Sequence, residues 1–302
     1  MGKTAIIFPG QGSQYENMGK DFYENYESAK KIFEAANEVS PLTMESLIFE
    51  PNEKLNETKY TQIAMLTVEL AILEVVKELG IKADVYAGLS LGEYGALAGC
   101  GAMSVKDALS LVVKRGKIMQ EAVPEGGAMS AVLGLDNNII EKICMQTEGI
   151  VSVANYNCPG QTVITGEKDA VQRAMEQLKE AGAKRCLPLK VSGPFHSDML
   201  LGAGTKLKEE LKNVTINDIT VPYVSNVTAS YVTDKNEVVD LLTKQISSSV
   251  RWQQSVEFMI EQGVDQFIEI GPKKTLTGFL KKIDKSVTAI NIETVNDLAK
   301  LQ

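Results

Sequence analysis

The residues best suited to chemistry stand at Gly88-Leu89-Ser90-Leu91-Gly92, which has the spacing G-x-S-x-G. Between a strand and a helix, that spacing makes a turn tight enough to lift the serine hydroxyl clear of the sheet. It also leaves the next backbone N–H, that of Leu91, free to bind an oxyanion. A serine hydroxyl needs a base to become a nucleophile, and the chain has a single histidine, His196. Serine chemistry assisted by an imidazole therefore runs through Ser90 and His196. No acidic partner for the imidazole stands out, so a backbone carbonyl is a candidate to orient it. Each residue also has an ordinary alternative, a non-catalytic tight turn for Ser90 and a structural role for His196.

Arg115 is the most informative charge. On its helix, Ala108, Leu111, Val112, Met119 and Ala122 share an apolar face, and Arg115 falls on that face. Asp107, Ser110, Lys114, Lys117 and Glu121 occupy the opposite one. An inward charge is costly unless it is paired. Either an internal carboxylate meets it, or the side chain snorkels outward, or its planar fork receives the carboxylate of a substrate. Gly10-Gln11-Gly12-Ser13-Gln14 lacks the lysine of a phosphate-binding loop and the third glycine of a dinucleotide fingerprint. As a sharp loop after the first strand, it suits a second oxyanion donor, the N–H of Gln11. Lys273, Lys274, Lys281 and Lys282 read as a solvated face that could also attract an acidic partner.

These residues need an alternation of strand and helix to hold them. Lys3–Phe8 and Asp84–Leu89 read as buried strands, and 18–36, 61–79, 91–99 and 105–123 as helices, the last opened by a capping box at Ser104 and Asp107. Pro124-Glu-Gly-Gly127 reads as a linker. Beyond it the order becomes strand 128–133, helix 137–148, strands 150–155 and 162–165, helix 168–182 and strand 184–189, the split βαβ arrangement. Alternation then resumes, with strands near 221–225, 266–270 and 287–292. The expected architecture is α/β: a large subdomain with a parallel sheet, from 1–124 and 193–302, and an inserted small subdomain at 125–192. The Ser90–His196 pair would then lie between the two.

Composition narrows the rest. The chain has 302 residues, 44% of them hydrophobic, and a formal net charge of −8. That disfavours disorder, nucleic acid and anionic membrane surfaces as readings. No apolar run is long enough for a membrane helix and no secretion signal is evident. Four dispersed cysteines without C-x-x-C spacing read as reduced thiols, not as a metal site or disulfide framework, so the expected compartment is the cytoplasm.

Seven stretches in order carry a family resemblance: Phe8-Pro-Gly-Gln-Gly-Ser-Gln14, Gly88-Leu-Ser-Leu-Gly-Glu-Tyr94, Lys114-Arg-Gly-Lys-Ile-Met-Gln120, Val153-Ala-Asn-Tyr-Asn-Cys-Pro-Gly-Gln161, Pro194-Phe-His-Ser197, Val250-Arg-Trp252 and Glu269-Ile-Gly-Pro272. Across nearly its whole length the chain resembles the malonyl-CoA:acyl carrier protein transacylases of bacterial type II fatty acid synthesis. The resemblance implies an α/β-hydrolase-like large subdomain with a ferredoxin-like insertion. It implies Ser90 as the acylated nucleophile, His196 as its base, and Gln11 and Leu91 N–H groups as the oxyanion hole. Arg115 would bind the malonyl carboxylate, and the Gln245 main-chain carbonyl would orient His196. Phe195 resembles the ring that crowds out an α-methyl group in malonyl-selective members. The family usually has histidine where this chain has Leu89.

The activity implied by the resemblance is ping-pong transfer of a malonyl group from malonyl-CoA to the phosphopantetheine thiol of an acidic, transiently bound acyl carrier protein. No metal or other cofactor is called for, and a monomer is expected. The rivals are a serine hydrolase or thioesterase, and a non-catalytic carrier-docking protein. Hydrolases of this type usually place an acid between serine and histidine and put the histidine near the C-terminus. They also have no need of an inward arginine for a neutral ester.

Overall fold

The computed structural model describes residues 2–123, 125–191 and 193–301. Pro124 and Ser192, at the expected junctions between subdomains, lie outside the described residues. The strands are β1 (Lys3–Phe8), β2 (Val85–Gly88), β3 (Gly127–Leu133), β4 (Val151–Cys158), β5 (Gln161–Glu167), β6 (Arg185–Pro188), β7 (Tyr223–Val224), β8 (Tyr231–Val232), β9 (Val264–Ile270) and β10 (Thr288–Ile292).

They form two sheets. One has six strands in the order β10-β9-β1-β2-β7-β8, the other four in the order β4-β5-β3-β6. In the first, β1 pairs in parallel with β2 and β9, β9 with β10, and β2 with β7. Only the edge strand β8 is antiparallel. Ala5–Phe8 and all of β2 are buried, as strands covered by helices on both faces must be. The second sheet is antiparallel throughout. The fold is thus a mixed α/β one built on a parallel sheet.

The helix Thr58–Glu78 is buried on nearly every side and packs against Val105–Ala122. Ser104 caps the latter by accepting the Asp107 N–H at 3.0 Å, and its hydroxyl donates to Asp107 Oδ2 at 2.8 Å, so the N-cap half of the expected capping box forms. Among the described residues no helix is long and apolar enough to cross a membrane. All four cysteines are free and buried.

The elements differ from the sequence reading in three places. The expected helix over 18–36 is two helices, Lys20–Asn25 and Glu27–Val39. Tyr26 separates them in an extended conformation (φ −131°, ψ 121°). Its N–H closes the first helix onto Phe22 O, and its carbonyl accepts from Lys30 to begin the second. One residue thus caps both helices, and the apolar spacing continues across the break. The loop expected over Tyr156–Gln161 shrinks to Pro159-Gly160, because β4 runs on to Cys158 and β5 begins at Gln161. Tyr156 stays in extended chain because its N–H bonds to Val250 O at 2.9 Å. The edge strand β8 has no counterpart in the sequence reading, since two residues carry no readable alternation.

The four-stranded sheet is hydrogen-bonded to the segment that follows Gln245. Val250 N–H donates to Ala154 O at 2.7 Å, and Ser249 Oγ donates to Val153 O at 2.6 Å.

Candidate active site

Ser90 sits between the end of β2 and the helix Gly92–Gly99, with φ 53°. A non-glycine residue in this left-handed region is strained, so its surroundings must hold it. The flanking glycines explain how the turn closes. A Cβ on Gly88 would stand 1.9 Å from the carbonyl carbon of Gly92, and one on Gly92 would stand 2.2 Å from Phe8 O. Asn226, just past β7, supplies the clamp. Its Oδ1 accepts the Ser90 N–H at 2.7 Å, and its Nδ2 donates to Gly88 O at 2.6 Å.

His196 also has a positive φ, 60°. Its Nδ1 lies 2.9 Å from Gln245 O and its Nε2 lies 2.7 Å from Ser90 Oγ. A carbonyl can only accept, so Nδ1 carries the proton and Nε2 presents a lone pair to the Ser90 hydroxyl. The expectation of a backbone orienter, and of Gln245 in that place, agrees with this geometry. The His196 ring does not keep the ordinary imidazole range. Burial, and then the nearby Arg115 charge, push the imidazole down to about 4.

Arg115 lies entirely buried on its helix's inward face. Its Nη1 donates to Gln62 Oε1 at 2.8 Å, and its Nη2 donates to Gln245 Oε1 at 3.0 Å and to Ser90 Oγ at 3.3 Å. The guanidinium carbon stands 5.1 Å from the Tyr94 ring centroid. Burial pulls its pKa below the ordinary value, against the Tyr94 and Glu93 charges. Its hydrogen-bond partners are neutral oxygens, and among the described residues it makes no salt bridge with a carboxylate. The alternative of a direct internal ion pair is thereby excluded.

The N–H groups of Gln11 and Leu91 meet no acceptor among the described residues, and both residues line the cavity that holds Ser90. Gln11 is fixed by its side chain, which donates to Thr58 Oγ1 at 2.9 Å. Phe195 is buried in the cavity wall. Leu89 lines the same cavity and packs in an apolar cluster with Leu276 and Phe279. Its Cδ2 would lie 2.9 Å from a Cβ built on Gly10, so it leans directly on the Gln11 loop. The cavity measures about 480 Å³, and Met129, Asn155 and Gln161 of the four-stranded unit close one side of it. Ser90, His196, Arg115, Gln11, Leu91, Phe195 and Leu89 all reach this space, while Gln245 stands behind it.

Three further side chains of the site escape the sequence reading. Gln62 is the only amide in the helix Thr58–Glu78, and a buried polar residue among aliphatics is a readable sign. Asn226 follows a strand at the carboxyl end of the parallel sheet, where α/β sites gather. Glu93 lies three residues past the nucleophile, fully buried, and its Oε2 accepts from Gln245 Nε2 at 2.7 Å and from Asn226 N–H at 3.1 Å. Burial pushes its carboxyl up to about 7, against those hydrogen bonds.

Protonated His196 cannot accept the Ser90 proton. The kcat/KM for Ser90 acylation is therefore expected to stay level from pH 8 to about 5 and to fall as pH drops through about 4. Stopped-flow acylation across that range checks it, and a fall centred near 6.5 contradicts the buried, Arg115-facing imidazole. Leu89→His restores the usual family residue while leaving nucleophile, base and oxyanion donors in place. Its acylation rate is expected to change by less than about tenfold, roughly 1.4 kcal/mol. Complete loss would show that the pocket depends on leucine at this position.

The model of the acyl transferase domain family matches residues 5–300. The malonyl CoA-acyl carrier protein transacylase of Bacillus subtilis (strain 168) is 47% identical over 297 residues, which cover 97% of this chain and 94% of that protein. That of Escherichia coli (strain K12) is 45% identical over 294 residues, covering 96% and 95%. The crystal structure of the transacylase from Clostridium perfringens superposes with a TM-score of 0.95 at 44% identity, covering 99% of this chain and 96% of that one. A malonyl-transacylase solved in complex with a type II PKS acyl-carrier protein superposes at 0.96 with 40% identity, covering 99% and 98%. With that extent of identity and a shared fold over the full chain, the protein belongs to the acyl transferase family and, within it, to the malonyl CoA-acyl carrier protein transacylases.

Proposed function

We propose that the protein transfers a malonyl group from malonyl-CoA to the phosphopantetheine thiol of acyl carrier protein through a malonyl-Ser90 ester. The observation that carries this reading is the buried guanidinium of Arg115, held by neutral oxygens and pointing one donor at the nucleophile. A cation without a carboxylate partner inside a dry pocket favours an acyl group that brings its own carboxylate. The relative solved with an acyl-carrier protein supports the choice of acceptor.

Ser90 Oγ attacks the thioester carbon while its proton passes to His196 Nε2. The oxyanion is received by the Gln11 and Leu91 N–H groups, which have no other acceptor among the described residues. The C–S bond then breaks, and the departing CoA sulfur takes the proton from His196. In the second half the carrier's thiol gives its proton to His196 and attacks the ester. Ser90 leaves and regains the proton. Phe195 and Leu89 shape the wall beside the acyl chain. We read 1–124 with 193–302 as an α/β-hydrolase-like subdomain and 125–192 as a ferredoxin-like insertion that roofs the site. Their separate sheets support that division.

Intact-mass measurement after incubation with malonyl-CoA is expected to show an adduct of about 86 Da that peptide mapping places on Ser90 and that Ser90→Ala lacks. Charge-assisted hydrogen bonds contribute about 1.5–3 kcal/mol each, so loss of a two-point fork in Arg115→Ala is expected to lower kcat/KM for malonyl-CoA roughly 10²–10⁴-fold. Acetyl-CoA, without a carboxylate, is expected to lose far less. Arg115→Lys restores little, because an ammonium lacks the planar fork. Equal losses on both substrates at an unchanged melting temperature would mean that Arg115 does not read the acyl group.

A further inference from the structure

We infer that Glu93 is a positioning residue for acyl selectivity: through the side-chain amide of Gln245 it holds the Arg115 guanidinium in the orientation that receives the substrate carboxylate. This role rests on the malonyl reading of the site and deepens it.

The direction of one amide is decisive. Gln245 Oε1 accepts from Arg115 Nη2 at 3.0 Å. Its Nε2 donates to Glu93 Oε2 at 2.7 Å and to Ser90 O at 2.9 Å. Arginine has donors only, so a Gln245 amide turned by half a revolution would set N–H against N–H at Arg115. The same turn would set oxygen against oxygen at Glu93 and Ser90. A third, longer contact reaches Asn226 Oδ1 at 3.5 Å, and the bond to Glu93 is the shortest of the three that hold the amide in its productive sense. Gln245, Glu93 and Arg115 are all buried, so a lost partner leaves a buried polar atom unmet.

Glu93 does not touch the cavity wall around Ser90, so it acts through Gln245. Its influence separates from that of the imidazole, although its bond to the Asn226 N–H also leads to the clamp on Ser90. The His196 orienter is the main-chain oxygen of Gln245, which does not depend on how the side-chain amide points. Losing the Glu93 acceptor therefore loosens the arginine more than the imidazole. The relay needs an acceptor at Oε2 and not a charge. A proton on Glu93 would sit on Oε1, which has no hydrogen-bond partner among the described residues. Oε2 would still accept from Gln245 and Asn226.

The experiment compares malonyl-CoA and acetyl-CoA as acyl donors for wild type, Glu93→Gln and Glu93→Leu, with thermal melts of each. Wild-type malonyl transfer tests the underlying reading by itself, and the ratio of the two kcat/KM values tests the inference. Glu93→Gln keeps a carbonyl oxygen facing the same donors, so its malonyl-to-acetyl ratio is expected within about threefold of wild type. Glu93→Leu removes the acceptor and is expected to lower that ratio at least tenfold. Most of the change in ratio should lie in KM for malonyl-CoA, with acetyl transfer losing less. In an Arg115→Ala background, Glu93→Leu should change the ratio no further. Should leucine prevent folding, Gln245→Met removes the same bridge while keeping the main-chain carbonyl, and the same tenfold loss of ratio is expected. An unchanged ratio in the folded bridge-breaking variant overturns the inference. So does a Glu93→Gln variant as impaired in ratio as Glu93→Leu, which would make the carboxylate charge the active property.

Discussion

Burying a guanidinium costs several kcal/mol unless its donors are met, and Arg115 is wholly buried. Much of the site results from meeting that requirement with amides. Gln62, from the helix beneath, takes one nitrogen, and Gln245, 130 positions along the chain, takes the other. The helix Thr58–Glu78 packs against Val105–Ala122, so Gln62 and Arg115 face each other across that contact. Neutral partners meet the two terminal nitrogens, though not Nε, without cancelling the charge. The cation stays available to an anionic acyl group, and the cavity keeps a reason to prefer one.

The nucleophile depends on a second constraint, a backbone held where a serine does not go unaided. Both Ser90 and His196 have left-handed φ values. The strain at Ser90 is offset by Asn226, which bonds the Ser90 N–H and Gly88 O, and by glycines at 88 and 92 that let the turn close against β1. His196 is likewise pinned, its N–H donating to Ile246 O at 3.2 Å and its ring to Gln245 O. Residues 245–250 therefore serve three purposes within two helical turns' length of chain. They orient His196, tie Arg115 to the Ser90 turn, and anchor the four-stranded sheet through Ser249 and Val250. Moving the small sheet would disturb the same segment that aims the imidazole.

Ser90, His196 and Arg115 were legible because their types are scarce in their settings: one G-x-S-x-G at a strand–helix junction, one histidine, and one cation on an apolar helix face. The parallel sheet and the split βαβ order were legible from alternation alone. Asn226 and Glu93 were not, because their meaning lies in partners up to 152 positions away and a lone amide or acid has no period. Gln245 came from resemblance, which supplied its main-chain role but not its side-chain bridge. The break at Tyr26 was hidden because a residue that caps one helix and opens the next leaves the apolar spacing intact. The low pKa of His196 depends on complete burial beside Arg115, which no local pattern records.

The choice of a carbonyl, not a carboxylate, to orient His196 fits the acyl group this pocket suits. A carboxylate at Nδ1 would stand close to Arg115 and compete for the fork that an incoming malonyl carboxylate must occupy. It would also stabilise the imidazolium and raise the pKa of the base. The neutral oxygen of Gln245 fixes the tautomer and leaves the charge of Arg115 uncompensated at that side. The cost is a weak base, pushed down to about 4. Thioester chemistry tolerates that cost better than amide chemistry does. A thioester carbonyl is more electrophilic than an amide carbonyl, so the serine needs less help from its base to attack it. A dyad with a neutral orienter is then sufficient, and the electrostatics of the pocket are left to select the acyl group.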